Sequence, residues 1–333
     1  MAGRGQGHDQ DEGQGRRADA VFEGGGVRGI AFVGAVSVFE EAGYGWHFLA
    51  GTSAGAIIAS LLAAGYDADQ LRQLMDETDF RRFAIREGMA KIPLLGPPAS
   101  LFSHLGLHSA DNMEAWLADL LAARGVKTFG DLAVPSHVVH AGFRHRLQVV
   151  ASDVTNRRLL VLPRDGQRLG LEPDKLSVAF AVRMSMSIPI FYEPVRVKVA
   201  DTEILVVDGG LLSNFPVWIF DEPGQPRWPT FGFRLVDPTP SVTPGWGPRA
   251  LYNYMVALIE TSMEGRDEHD LAQRDWVRTV SIPTHGISAT NFGLGKDQQL
   301  LLYNSGRQAA LEFLKTWDFQ RYVGLYGPGD MRK

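Results

Sequence analysis

Two short apolar runs near the start of the chain, Ala20-Val21-Phe22 and residues 46–50, each give way to a glycine-rich turn and then to a helical pattern. The first meets Gly24-Gly25-Gly26, after which Ile30–Glu41 carries apolar residues on one face. The second meets Gly51-Thr52-Ser53-Ala54-Gly55, and a helix of small residues follows through Ala64. A strand, turn, helix unit is thus predicted twice, with a different turn each time.

Further along, Ser109 is expected to cap a helix over residues 110–123, since Asp111 and Glu114 fall in its first turns and Gly125 follows its end. Strands are predicted at residues 138–140, 147–151, 159–162, 204–207 and 231–236, and helices at 177–186, 252–276 and 298–317. Between Phe80 and His108 the periodicity breaks down around Pro93, Gly96, Pro97 and Pro98, and a loop of this length is commonly functional. Strands alternating with helices imply a mainly parallel central sheet covered on both faces, an α/β fold with three α/β/α layers. No linker or repeat divides residues 19–333, which read as a single domain.

Composition narrows the possibilities. Residues 1–18 are rich in Gly, Gln, Asp and Arg without an apolar core, and read as a disordered tail and not a secretory signal. The 33 Lys and Arg are scattered in a chain of net charge -5, so no basic stripe offers nucleic acid a footing. With no cysteine, disulfides, thiolate metal sites and a cysteine nucleophile are all excluded, and a cytoplasmic location fits. The longest small and apolar run, residues 54–65, falls short of the roughly 20 residues of a transmembrane helix.

Gly51-Thr52-Ser53-Ala54-Gly55 is a G-x-S-x-G match between a predicted strand and a predicted helix, the setting of a nucleophile elbow. The glycines permit a sharp turn, and the helix start supplies N–H groups and positive dipole beside the Ser53 hydroxyl. A serine in a glycine-rich turn of no catalytic use is the plain alternative. Gly24-Gly25-Gly26-Val27-Arg28-Gly29 admits three readings: a dinucleotide fingerprint, an oxyanion hole, or close helix-to-strand packing. The dinucleotide reading wants an acid at the end of the second strand, where Leu49-Ala50-Gly51 stands instead.

A serine hydroxyl requires a base. The late histidines His269 and His285 read as surface residues, and Asp208, at the end of an apolar strand and before Gly209-Gly210, is better placed, although taken alone it reads as a simple strand-to-turn Asp. Asp153, in Ala151-Ser152-Asp153-Val154-Thr155, reads as a turn residue, and Arg28 as a holder of the glycine loop or of a phosphate head group.

The three motifs together, Gly24 to Gly29, Gly51 to Gly55 and Asp208-Gly209-Gly210, resemble the patatin-like phospholipase family in order and context. The resemblance runs from about Val21 to Val217 and takes in Ser185-Met186-Ser187-Ile188-Pro189. It implies a patatin-like fold and a lipid acyl hydrolase of phospholipase A or lysophospholipase type. Ser53 would be the nucleophile, Asp208 its base, and Gly24, Gly25, Gly26 and Ala54 the oxyanion hole. It implies neither metal nor cofactor. Phospholipid or lysophospholipid would be the substrate, met by transient peripheral contact with a membrane surface. The apolar, proline-broken stretch 92–102 reads equally as a mobile cover that meets the lipid surface and as an irregular loop packed on the core. A carboxylesterase acting on other esters is the alternative activity.

Overall fold

The computed structural model describes residues 16–84, 105–138, 142–237, 261 and 273–326. Strand β1 (Arg16–Phe22) begins earlier than its apolar run: Arg16, Arg17 and Ala18, expected in the tail, pair with Tyr44, Gly45 and Trp46 of β2 (Tyr44–Thr52). The two arginines are exposed, so the sequence pattern registers where the strand is buried and not where its backbone starts to pair.

Five strands run parallel in the order β10 (Thr279–Pro283), β9 (Thr230–Val236), β1, β2 and β4 (Leu147–Asp153). β5 (Arg158–Leu162) and β8 (Thr202–Asp208) pair antiparallel with β4, and β7 (Val195–Val199) pairs antiparallel with β8. The result is an eight-stranded mixed sheet, mostly parallel and flanked by helices, as the three-layer α/β/α expectation requires. A separate two-stranded sheet joins β3 (Gly106–His108) to β6 (Ile190–Tyr192).

Register along β4 decides where the site lies. Val150 faces Thr52 of β2 on one edge and Val161 of β5 on the other. Its neighbour Ala151 faces Leu160 of β5 and Asp208 of β8. Since β5 takes one edge throughout, β2 and β8 share the other edge and run toward each other. Their C-terminal ends meet beside Val150 and Ala151.

Helices α1 (Ile30–Glu41) and α2 (Ala54–Ala63) follow the glycine turns as predicted, and α4 (Asp111–Ala122), α5 (Val178–Met186) and α6 (Lys296–Thr316) lie close to their predicted bounds. Two helices were not anticipated, α3 (Ala68–Glu77) and α7 (Phe319–Tyr326). Of the strand predicted at 138–140, Val138 ends a 3-10 turn, Ser136–Val138, and the rest lies outside the described residues. Of the helix predicted at 252–276, Thr261 is helical, Gln273–Arg278 forms a 3-10 turn, and the remainder lies outside the described residues, as does the 92–102 stretch.

The large core packs Phe22, Leu49 and Phe233 from the sheet against α1, α2, α5 and α6. α1 and α6 cross closely because glycine stands on both: a Cβ on Gly34 would collide with the Tyr303 carbonyl, and one on Gly306 with that of Ala31. On the other face Val21, Phe48, Ala50 and Val150 are covered by Phe143, Ile219 and Phe220. Among the described residues no helix is long and apolar enough to cross a membrane.

Candidate active site

The two predicted glycine turns sit side by side at the C-terminal ends of β1 and β2, where ligands bind in open α/β sheets. Their glycines are needed for close approach. A Cβ on Gly51 would strike the Gly55 backbone, and one on Gly55 would strike the carbonyls of Phe22 and Glu23, so α2 can fold back over β2 and against β1 only if both lack side chains. Gly29 faces Ala54 the same way, its Cβ position lying 3.1 Å from the Ala54 Cβ.

Ser53 joins β2 to α2 with φ 53° and ψ -125°, a conformation that costs a non-glycine residue about 1–3 kcal/mol. Its N–H donates to Ser185 Oγ at 2.8 Å, and its carbonyl accepts from Ala56 N at 2.9 Å. Ser53 is almost wholly buried.

Asp208 reaches the same point from the opposite direction, at the end of β8. Its N–H donates to the Ser187 carbonyl at 2.9 Å, and its Oδ1 accepts from Gly210 N at 2.8 Å. Complete burial pushes the Asp208 carboxyl up to about 7, against the opposing pull of the Ser53 hydroxyl and the Gly210 N–H. The hydroxyl is thus close enough to favour the charged carboxylate, yet Oδ2 lacks a hydrogen bond of ordinary geometry. The structure therefore brings Ser53 and Asp208 together. His285 is exposed in the loop after β10, and His269 lies outside the described residues.

The glycine loop divides into unequal parts. The Gly24 N–H donates to the Asn214 carbonyl at 3.1 Å, so this N–H, expected to line an oxyanion hole, is already engaged. The N–H groups of Gly25, Gly26 and Ala54 make no hydrogen bond with the described residues. Gly26 has φ +57°, and a Cβ there would run into the Ala289 carbonyl. Arg28 donates from Nε to the Gly25 carbonyl at 3.2 Å, which ties its side chain to the glycine loop.

Asn214 was not singled out from sequence. Its Nδ2 donates to the Gly24 carbonyl at 3.3 Å and to Glu23 Oε1 at 3.4 Å, so it grips Gly24 by side chain and backbone at once. Buried Glu23 also accepts from Leu235 N at 2.5 Å, fixing the loop to β9. Asp153 is closed into a turn: it accepts from Asn156 N at 2.9 Å, Asn156 Nδ2 at 2.8 Å and Arg158 Nε at 2.8 Å.

A mainly apolar pocket opens beside Ser53, which is part of its lining. Ile57, Met75, Phe83, Trp116 and Phe292 are among its walls, and among the described residues Ser53 and Tyr192 are the only hydroxyl-bearing or charged side chains in them. Among the described residues no three His, Asp or Glu side chains converge as a metal site would.

The family model for patatin-like phospholipase matches residues 20–221, which hold every motif described above. The chain belongs to the patatin-like phospholipase family. This patatin-like chain is 39% identical to the uncharacterized protein YqhO of Bacillus subtilis, over 90% of its own length and 99% of that protein. The uncharacterized NTE family protein Rv2565 of Mycobacterium tuberculosis is 30% identical over 205 residues, 61% of this chain and 28% of that protein. Among solved structures, VipD from Legionella pneumophila superposes with a TM-score of 0.54 at 18% identity, covering 91% of this chain and 67% of that one, a likeness of fold. Membership of the family supports a lipid hydrolase. The dinucleotide reading of Gly24 to Gly29 loses its ground, since no acid stands at the end of β2 and the loop is packed against Ala289 and Asn214.

Proposed function

We propose that this patatin-like protein is a serine acyl hydrolase that cleaves fatty-acyl esters of phospholipids or lysophospholipids through a Ser53–Asp208 dyad. The observation that carries the reading is the meeting of β2 and β8 along one edge of β4, which brings the buried carboxylate of Asp208 close to Ser53, itself in the lining of an apolar channel.

In this mechanism the acyl chain lies in the channel, where each buried CH₂ contributes about 0.8 kcal/mol. The ester carbonyl carbon is attacked by Ser53 Oγ as Asp208 takes its proton. The oxyanion is held by the N–H groups of Gly25, Gly26 and Ala54, reinforced by the positive end of α2. Gly24 contributes space and not a donor. Asp208 then passes the proton to the leaving alcohol, takes another from water, and the acyl-serine is hydrolysed.

A fluorophosphonate probe tests the nucleophile. Wild type is expected to gain one adduct at Ser53 by peptide mass spectrometry, and Ser53→Ala none. Labelling at another residue, or of the two proteins alike, would refute the assignment. Turnover of short-chain nitrophenyl esters without any release of fatty acid from phospholipid or lysophospholipid would instead favour a carboxylesterase.

A further inference from the structure

The strained turn at Ser53 is held by a residue that does not itself line the apolar channel. Ser185, fully buried at the end of α5, accepts the Ser53 N–H at 2.8 Å and donates its own proton to the Val150 carbonyl at 2.6 Å. Val150 is the β4 residue opposite Thr52, so the Ser185 hydroxyl ties Ser53 to the strand beside its own. A serine hydroxyl has one proton to give, and here it is given to Val150. Two residues on, the Ser187 carbonyl accepts the Asp208 N–H. One short segment therefore binds the backbones of both Ser53 and Asp208.

We propose that Ser185 is a positioning residue for the hydrolysis, holding the Ser53 backbone in its left-handed conformation so that the hydroxyl stays directed at Asp208. The inference rests on the reading of Ser53 as nucleophile. Without the Ser185 hydroxyl, the Ser53 N–H and the Val150 carbonyl lose a buried partner, and among the described residues the Ser53 N–H has no other hydrogen bond. A displacement of about 1 Å at a reacting group costs about 100-fold in rate.

The experiment compares wild type with Ser185→Ala, Ser185→Thr and Ser185→Val, counting active sites with a fluorophosphonate and measuring turnover per labelled site on a soluble nitrophenyl ester. Ser185→Ala is expected to lose about 100-fold in turnover per site while KM stays within about threefold. Threonine and valine have nearly the same shape, so their packing effects cancel. Ser185→Thr is expected to exceed Ser185→Val by at least about tenfold per site, and this pair decides the matter if the alanine variant does not fold. Equal turnover in the pair, or fewer sites that each work at the wild-type rate, would overturn the positioning role. Wild type is labelled first: failure to label Ser53 there would remove the nucleophile itself, an outcome distinct from any difference among Ser185 variants.

Discussion

Removing the charge of Asp208 is expected to abolish activity and to shift stability in the variant's favour as pH rises. Burial raises this carboxyl from 3.8 to about 7 in the folded protein. A raised carboxylate pKa means that the folded state holds a proton that the unfolded state has lost. Stability from this group is therefore greatest at low pH and declines as pH rises from about 4 to about 7, levelling off above. At pH 5 the ionisation costs the folded wild type about 1–2 kcal/mol, and at pH 8 about 4 kcal/mol. Asp208→Asn keeps a carbonyl oxygen for the Gly210 N–H but has no charge to desolvate. Whatever the intrinsic effect of the amide, the stability difference between variant and wild type is expected to grow in the variant's favour by about 2–3 kcal/mol between pH 5 and pH 8. Urea denaturation of both proteins at each pH measures it. Parallel pH dependences would refute the claim that Asp208 is buried with a raised pKa.

The same shift sets the acid limb of the rate profile: kcat/KM for a soluble ester is expected to rise with pH through a midpoint near 7 as Asp208 ionises, and a limb centred near 4 would contradict it. Gly26→Ala places a Cβ against the Ala289 carbonyl at a positive φ, and should displace a proposed oxyanion donor, lowering kcat by about 100- to 1000-fold with intact fluorophosphonate binding at Ser53 delayed and not lost. Asp153→Ala opens the turn held by Asn156 and Arg158, so urea titration should show a loss of about 3 kcal/mol, while turnover per labelled site stays within about threefold.

Much of the site was legible because its turns are local. The glycines of Gly51 to Gly55 are required by contacts with α2 and β1 that any strand, turn, helix unit makes, and Asp208 stood out as a polar residue closing an apolar strand. What joins the two was not legible. That β8 runs against β4 and ends where β2 ends is a matter of non-local register, which no period in the sequence encodes. The same limit hid Asn214 and the bond of Ser185 to Ser53, which reach 190 and 132 residues along the chain, and gave Gly24 a donor role that Asn214 has already taken. α3 is a different case, since Asp67 and Gln70 form a capping box that the spacing alone could have suggested.

Release of fatty acid from mixed phospholipid and lysophospholipid vesicles by wild type, Ser53→Ala and Asp208→Ala at pH 8 tests the Ser53–Asp208 dyad most directly. Release by wild type, with both variants at background, is the predicted result. Release by Asp208→Ala at the wild-type rate would contradict the dyad and leave Ser53 in need of another base.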